Sequence, residues 1–194
     1  MRKHKFTLVI AMLLPIVAAH AQNEDPKSLP YINNQFCISA KYVKYSGSHS
    51  PVGLSFETLY GFNNWLEAGA YIDGKILERS GYYGINYAIE AKAHLFALLA
   101  DPSFYYADLY GIGRLGVSTH HLPNYSSSEG DVEAKNWSSF YHSLGIGAAV
   151  NFSRHFGFCY ELNCFPFYAN KMLNHSFGIQ IRFGGPKKWR NTRQ

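Results

Sequence analysis

The stretch SFGIQIRF, Ser176 to Phe183, decides how the chain is read: Phe177, Ile179, Ile181 and Phe183 alternate with Ser176, Gly178, Gln180 and Arg182. A period of two places the two sets on opposite faces of an extended strand, one apolar and one able to carry a guanidinium. The same two-sided pattern recurs upstream. Phe36, Ile38, Ala40 and Tyr42 oppose Cys37, Ser39, Lys41 and Val43, and Leu54, Phe56, Thr58 and Tyr60 oppose Gly53, Ser55 and Glu57. Leu66, Ala68, Ala70 and Ile72 oppose Glu67, Gly69, Tyr71 and Asp73, while Tyr87, Ile89, Ala91, Ala93 and Leu95 oppose Asn86, Glu90, Lys92 and His94. Further on, the polar face carries Asp108, Arg114, Ser143, Asn151, Glu161 and Asn163. Turn-forming residues separate these runs, so the spacing predicts an all-β chain of eight strands, near 35–45, 52–61, 65–75, 83–96, 104–118, 137–152, 157–165 and 175–183.

Alternation leaves open which face points inward. A soluble barrel turns its apolar face in, whereas a barrel in lipid turns it out and keeps charge in the lumen. Three features favour lipid. Aromatic residues recur towards strand ends (Phe36, Tyr42, Tyr60, Phe152, Phe158, Phe177 and Phe183), several strands exceed the length usual in soluble sheets, and the connections alternate in length. GFNNW, ALLADPS and SRHF read as compact turns on the side of the chain ends. On the other side lie SGSHS, the stretch from Gly74 to Tyr82, STHHLPNYSSSEGDVEAK and FPFYANKML.

The ends of the chain account for its basic balance. Arg2, Lys3 and Lys5 precede the apolar run FTLVIAMLLPIVAA, which stops at Ala19-His20-Ala21, the pattern of a secretory signal peptide removed after residue 21. Of the 18 basic side chains, set against 13 acidic, these three lie in the signal and Lys187, Lys188, Arg190 and Arg193 lie beyond Phe183. The part between is therefore slightly acidic, which removes the basic-surface argument for nucleic-acid binding. The three cysteines, Cys37, Cys159 and Cys164, have no zinc-like spacing and are expected as free thiols.

The motifs LYGIGRLG (109–116), SLGIGAAVNF running into SRHFGF (143–158) and the final FGIQIRF (177–183) give the chain its likeness. Their order after a signal peptide resembles the small OmpA/OmpX-type outer-membrane β-barrel family (outer membrane protein beta-barrel domain), over essentially all of the chain after residue 21. The resemblance implies an eight-stranded antiparallel up-and-down transmembrane β-barrel in the outer membrane of a Gram-negative cell. It also implies delivery by periplasmic chaperones and the barrel-insertion machinery, with Phe183 as the terminal insertion signal. In such barrels that aromatic usually ends the chain, whereas here GGPKKWRNTRQ follows it. The expected organisation is a signal peptide at 1–21, a periplasmic lead at 22–34, the barrel at 35–183 and a basic periplasmic tail at 184–194.

A polar lumen in so narrow a barrel must neutralise its own charge. Lys41, Glu57, Glu67, Glu90, Lys92, Arg114, Glu161 and Arg182 are four bases and four acids, expected to interlock as one ion network that plugs the barrel. No cofactor, metal site or catalytic constellation is expected. In His142-Ser143 and His175-Ser176 the two side chains point to opposite faces, so neither dipeptide is itself a catalytic pair, although a lipid-modifying enzyme and a narrow passive pore stand as alternatives. The long loop from Thr119 to Asn136, with His120, His121 and Tyr125, is the expected surface for an extracellular ligand.

Overall fold

The structure is a computed structural model that describes residues 32, 34–46, 52–76, 83–95, 107–127, 130–153, 155–164 and 173–184, without the side chains of 76 and 125–132. The expected signal peptide, and the tail after Gly184, lie outside the described residues. Ten strands follow in order: β1 (Gln35–Tyr45), β2 (Val52–Gly61), β3 (Leu66–Ile76), β4 (Tyr83–His94), β5 (Ala107–Leu122), β6 (Tyr125–Ser127), β7 (Gly130–Val132), β8 (Lys135–Asn151), β9 (Phe156–Cys164) and β10 (Leu173–Gly184). Eight of them close into a barrel in the order β1-β10-β9-β8-β5-β4-β3-β2, every pair antiparallel, while β6 and β7 form a small separate sheet.

Each face goes where its chemistry sends it. In β1 the residues from Gln35 to Tyr45 alternate buried and exposed, with Cys37, Ser39 and Lys41 inside and Phe36, Ile38 and Tyr42 outside. Glu57, Glu67, Glu90 and Glu161 are at most 1% exposed, whereas Ile89 is 72% exposed and Leu115 61%. An inside of carboxylates and an outside of isoleucine and leucine is stable only where the outer solvent is hydrocarbon.

The register fixes the barrel's geometry. From Tyr42, ladder partners run through Leu54, Gly74, Ile85 and Thr119 to Ser138 on β8. In the other direction they run through Phe177 and Tyr160 to Ala148, so the sheet closes with an offset of ten residues. Ten residues at about 3.3 Å each, against eight strands about 4.8 Å apart, tilt the strands by about 40°.

One end of the barrel, the lower rim, is closed by tight turns with their own hydrogen bonding. Asn63 Oδ1 accepts from the backbone N–H groups of Trp65 and Leu66, both at 2.9 Å, and Ser153 Oγ accepts from that of Phe156 at 3.1 Å. Phe36 packs on Tyr60, and Phe152, Phe156 and Phe158 form a second aromatic cluster beside the same rim. The third connection on this side, expected as the compact turn ALLADPS, lies outside the described residues: β4 ends at His94 and β5 begins at Ala107, and of the residues between them only Leu95 is described.

At the upper rim the expected long loop is largely ordered. β5 continues to Leu122 and β8 starts at Lys135, paired without interruption from Thr119↔Ser138 to Leu122↔Lys135 and topped by the β6–β7 sheet. The residues Lys135–Ser143 of β8 lie above the last pair with β9, Leu144↔Cys164, so the β5–β8 hairpin stands above the β9 and β10 ends of the rim.

Because the outward face meets lipid, Ile89→Arg is expected to destabilise the barrel by about 2–4 kcal/mol in urea titrations from phospholipid vesicles. At Thr119, near the upper rim, the same change should cost about 1 kcal/mol or less. A neutral Ile89→Arg would place that surface in water.

Candidate functional site

Sequence parity sends eight charged side chains into the lumen, and all eight are buried there. Geometry divides them into two groups rather than one. At mid-height, Lys41 pairs with Glu57 and Glu161, and Lys92 Nζ lies 2.7 Å from Glu57, 2.9 Å from Glu161 and 3.3 Å from Glu90. Arg114 spans the same three acids at 3.2, 2.9 and 2.8 Å from Glu57, Glu90 and Glu161. Three cations thus interleave with three carboxylates supplied by β1, β2, β4, β5 and β9.

The other two expected members, Glu67 and Arg182, pair with each other nearer the lower rim. Their company is His94, 3.2 Å from Glu67, and Asp108, 2.5 Å from the other ring nitrogen of His94. No ion pair among the described residues joins the two groups. The separation is axial, since Arg182 pairs in register with Cys37 whereas Lys41 lies four residues further up β1.

Aromatic side chains fill what the ions leave. The Tyr110 ring lies under Lys92, 4.9 Å from Nζ, and its hydroxyl donates to Glu161 at 3.2 Å. Arg114 lies 4.0 Å above the Tyr71 ring, whose plane is within 7° of that of Tyr141. Tyr71 donates to Asp73, which also accepts from Asn86, each at 2.6 Å. Room for Tyr110 comes from the opposite strand, where a Cβ on Gly147 would run into its ring.

Three of these contributors, His94, Asp108 and Tyr110, were not among the expected network residues. His94 and Asp108 carry the right parity, and Tyr110 falls between Asp108 and Arg114 at the same spacing, so the signal was present. Neutrality at pH 7 sets His94 and Tyr110 apart from the eight ions, whereas Asp108 is a carboxylate with as clear a signal as Glu90.

The three carboxylates Glu57, Glu90 and Glu161 each offer an oxygen within 4.8 Å of the others, a spacing that suits a cation. Lys41, Lys92 and Arg114 already supply it: charge is balanced, and the donors are protein N–H groups. Cys37 and Cys159 are free and buried, and the register sets them apart, Cys37 beside Arg182 and Cys159 beside Gly178 further up β10.

The expected surface residues need a correction. His120 and His121 are not loop residues but belong to β5, and consecutive strand residues face opposite ways, so the two cannot chelate one ion together. His120 stacks on Trp137 at 5.0 Å, and His121 stacks on Tyr83 at 4.6 Å and meets Asn136 Oδ1 at 2.5 Å. These cross-strand contacts carry the ladder through a stretch whose serine and asparagine content reads as loop. Tyr125 pairs with Val132 through the backbone. On the outer face, His142 stacks on Phe140 while Ser143 is buried inside, and Phe183 lies outward beside Phe36.

If the mid-height ions form one unit, Arg114→Ala and Glu161→Ala each leave a buried charge uncompensated, at about 3–5 kcal/mol apiece. The double variant should cost less than their sum by about 1–3 kcal/mol in the same vesicle titrations. Additive losses would dissolve the network into independent pairs.

No protein-family model matches the chain, and no curated protein matches it. Among solved structures, the N-terminal β-barrel domain of Pseudomonas aeruginosa OprF is similar at a TM-score of 0.57 and 14% identity, covering 78% of this chain and 98% of that one. Ail, the attachment invasion locus protein of Yersinia pestis, is similar at 0.51 and 15%, covering 78% and 99%. A de novo designed transmembrane β-barrel is similar at 0.50 and 8%, covering 80% and 100%. A designed protein among the matches marks the likeness as one of backbone architecture, and with the closed register and the inside-out polarity it leads to one conclusion: the chain has the fold of the small eight-stranded outer-membrane β-barrels.

Proposed function

We propose that the protein is an exported outer-membrane β-barrel whose role is structural or adhesive, exerted through its outward hairpin rather than through the lumen or by catalysis. In this reading residues 1–21 are the removed signal, the short turns face the periplasm and the β5–β8 hairpin faces outward. Periplasmic chaperones and the barrel-insertion machinery deliver the chain, with Phe183 as the recognised terminal aromatic.

The filled lumen carries this reading. The charged side chains at mid-height are at most 3% exposed and their charges cancel, which among the described residues leaves that level of the lumen filled rather than open to water or a ligand. What remains for a partner is the upper rim, where His120, Trp137, His121 and Tyr83 stiffen the base of the hairpin and Tyr125 belongs to the sheet that tops it. A stiff hairpin loses less entropy on binding than a mobile loop does. The attachment function in the name of Ail favours adhesion over a purely structural role.

Two measurements test the reading. In planar bilayers the purified protein should pass no steady current, and an ohmic conductance would make it a pore. Cells displaying the protein should adhere to a matrix-coated surface, and replacing residues 123–134 by Asn-Gly should abolish adhesion while the barrel stays heat-modifiable on gels. Unchanged adhesion after that replacement would remove the hairpin from the function.

A further inference from the structure

Parity assigns every described residue of the barrel strands to one face or the other, and the outward face is almost free of charge. Among the described residues, Lys44 is the only lysine, arginine, aspartate or glutamate on it. The same face holds Tyr42, Leu54 and Phe177, each about half exposed. A lysine in such company has to justify its desolvation.

Its depth gives part of the account. Lys44 is one residue from the upper end of β1 and eight residues above Phe36. At a tilt of about 40° that is a rise of about 20 Å, near the far edge of an apolar band about 25 Å tall. The ammonium therefore stands at headgroup level.

Its neighbours give the rest. Lys44 pairs across the closing seam with His175, which shares its face. Tyr160 Oη lies 2.6 Å from His175 Nδ1. With the phenol as donor to Nδ1, the ring carries its own proton on Nε2. An ammonium and an imidazole N–H, on neighbouring strands with Cβ atoms about 5 Å apart, then face outward together. Among the described residues, no acid stands on that face to take them. Two convergent donors and a positive charge suit a phosphate oxyanion.

We propose that Lys44 and His175, with His175 oriented by Tyr160, bind the phosphorylated headgroup of a lipid in the leaflet at the upper rim. The site rests on the membrane reading above and adds to it a lipid class and a fixed position on the seam. It holds the headgroup where β1 meets β10, so the bound lipid straddles the one strand pair that joins the two ends of the barrel.

The test uses the full chain purified in detergent, with diphosphorylated lipid A as the probe and native mass spectrometry as the readout. Wild-type protein should retain one lipid molecule, and Lys44→Gln and His175→Gln should each weaken retention about tenfold, the loss of one charge-assisted hydrogen bond. Lys44→Arg should restore it, and heat-modifiability on gels confirms that each variant is a closed barrel. Equal retention by wild type and Lys44→Gln, or of a dephosphorylated lipid A, overturns the site while leaving the membrane reading intact. Competition by millimolar inorganic phosphate would make it a site for free anion and overturn the lipid assignment. Recovery of the wild type in the soluble periplasm would overturn the membrane reading and this site with it.

Discussion

In hydrocarbon a backbone N–H or C=O has no solvent to turn to, so a sheet that crosses a membrane cannot have an edge. The pairing of β1 with β10, from Gln35↔Gly184 to Tyr45↔Asn174, meets that requirement, and the rest of the structure follows from it. Closure with eight strands sets a bore that side chains just fill. Filling it with the polar face, while lipid takes the apolar one, forces charge into a space without water. The interleaving of Lys41, Lys92 and Arg114 with Glu57, Glu90 and Glu161 is the outcome.

The fold was legible because one signal encodes both local structure and environment. Alternation at Ser176 to Phe183 marks a strand, and the kind of residue on each face marks the solvent on each side. Strand ends were less legible. His120 to Leu122 carry no strong strand signal of their own and belong to β5 because Trp137 and Asn136 lie opposite them.

The membership of the lumen was legible, but not its grouping. Parity says which way Arg182 points, not how high it stands, and height depends on the ten-residue shear that only the closed register reveals. That offset separates the pair Arg182–Glu67 from the mid-height ions and brings His94 and Asp108 to it. Neutral residues such as Tyr110 entered the network for a related reason: a balanced set of ions still leaves volume to be packed and oxygens to be satisfied.

The seam between β1 and β10 joins residues from opposite ends of the chain, and this governs the order in which the barrel can form. Seven of its strand pairs link neighbours along the barrel's chain order; the eighth must wait for synthesis to finish. Until then the first and last strands are raw edges, ready to pair with any other extended chain. A chain cut short before β10 keeps both edges for good. Once the seam has zipped the sheet has no edge left, and unfolding has first to open one of the eight strand pairs in lipid, where the freed backbone groups find no solvent.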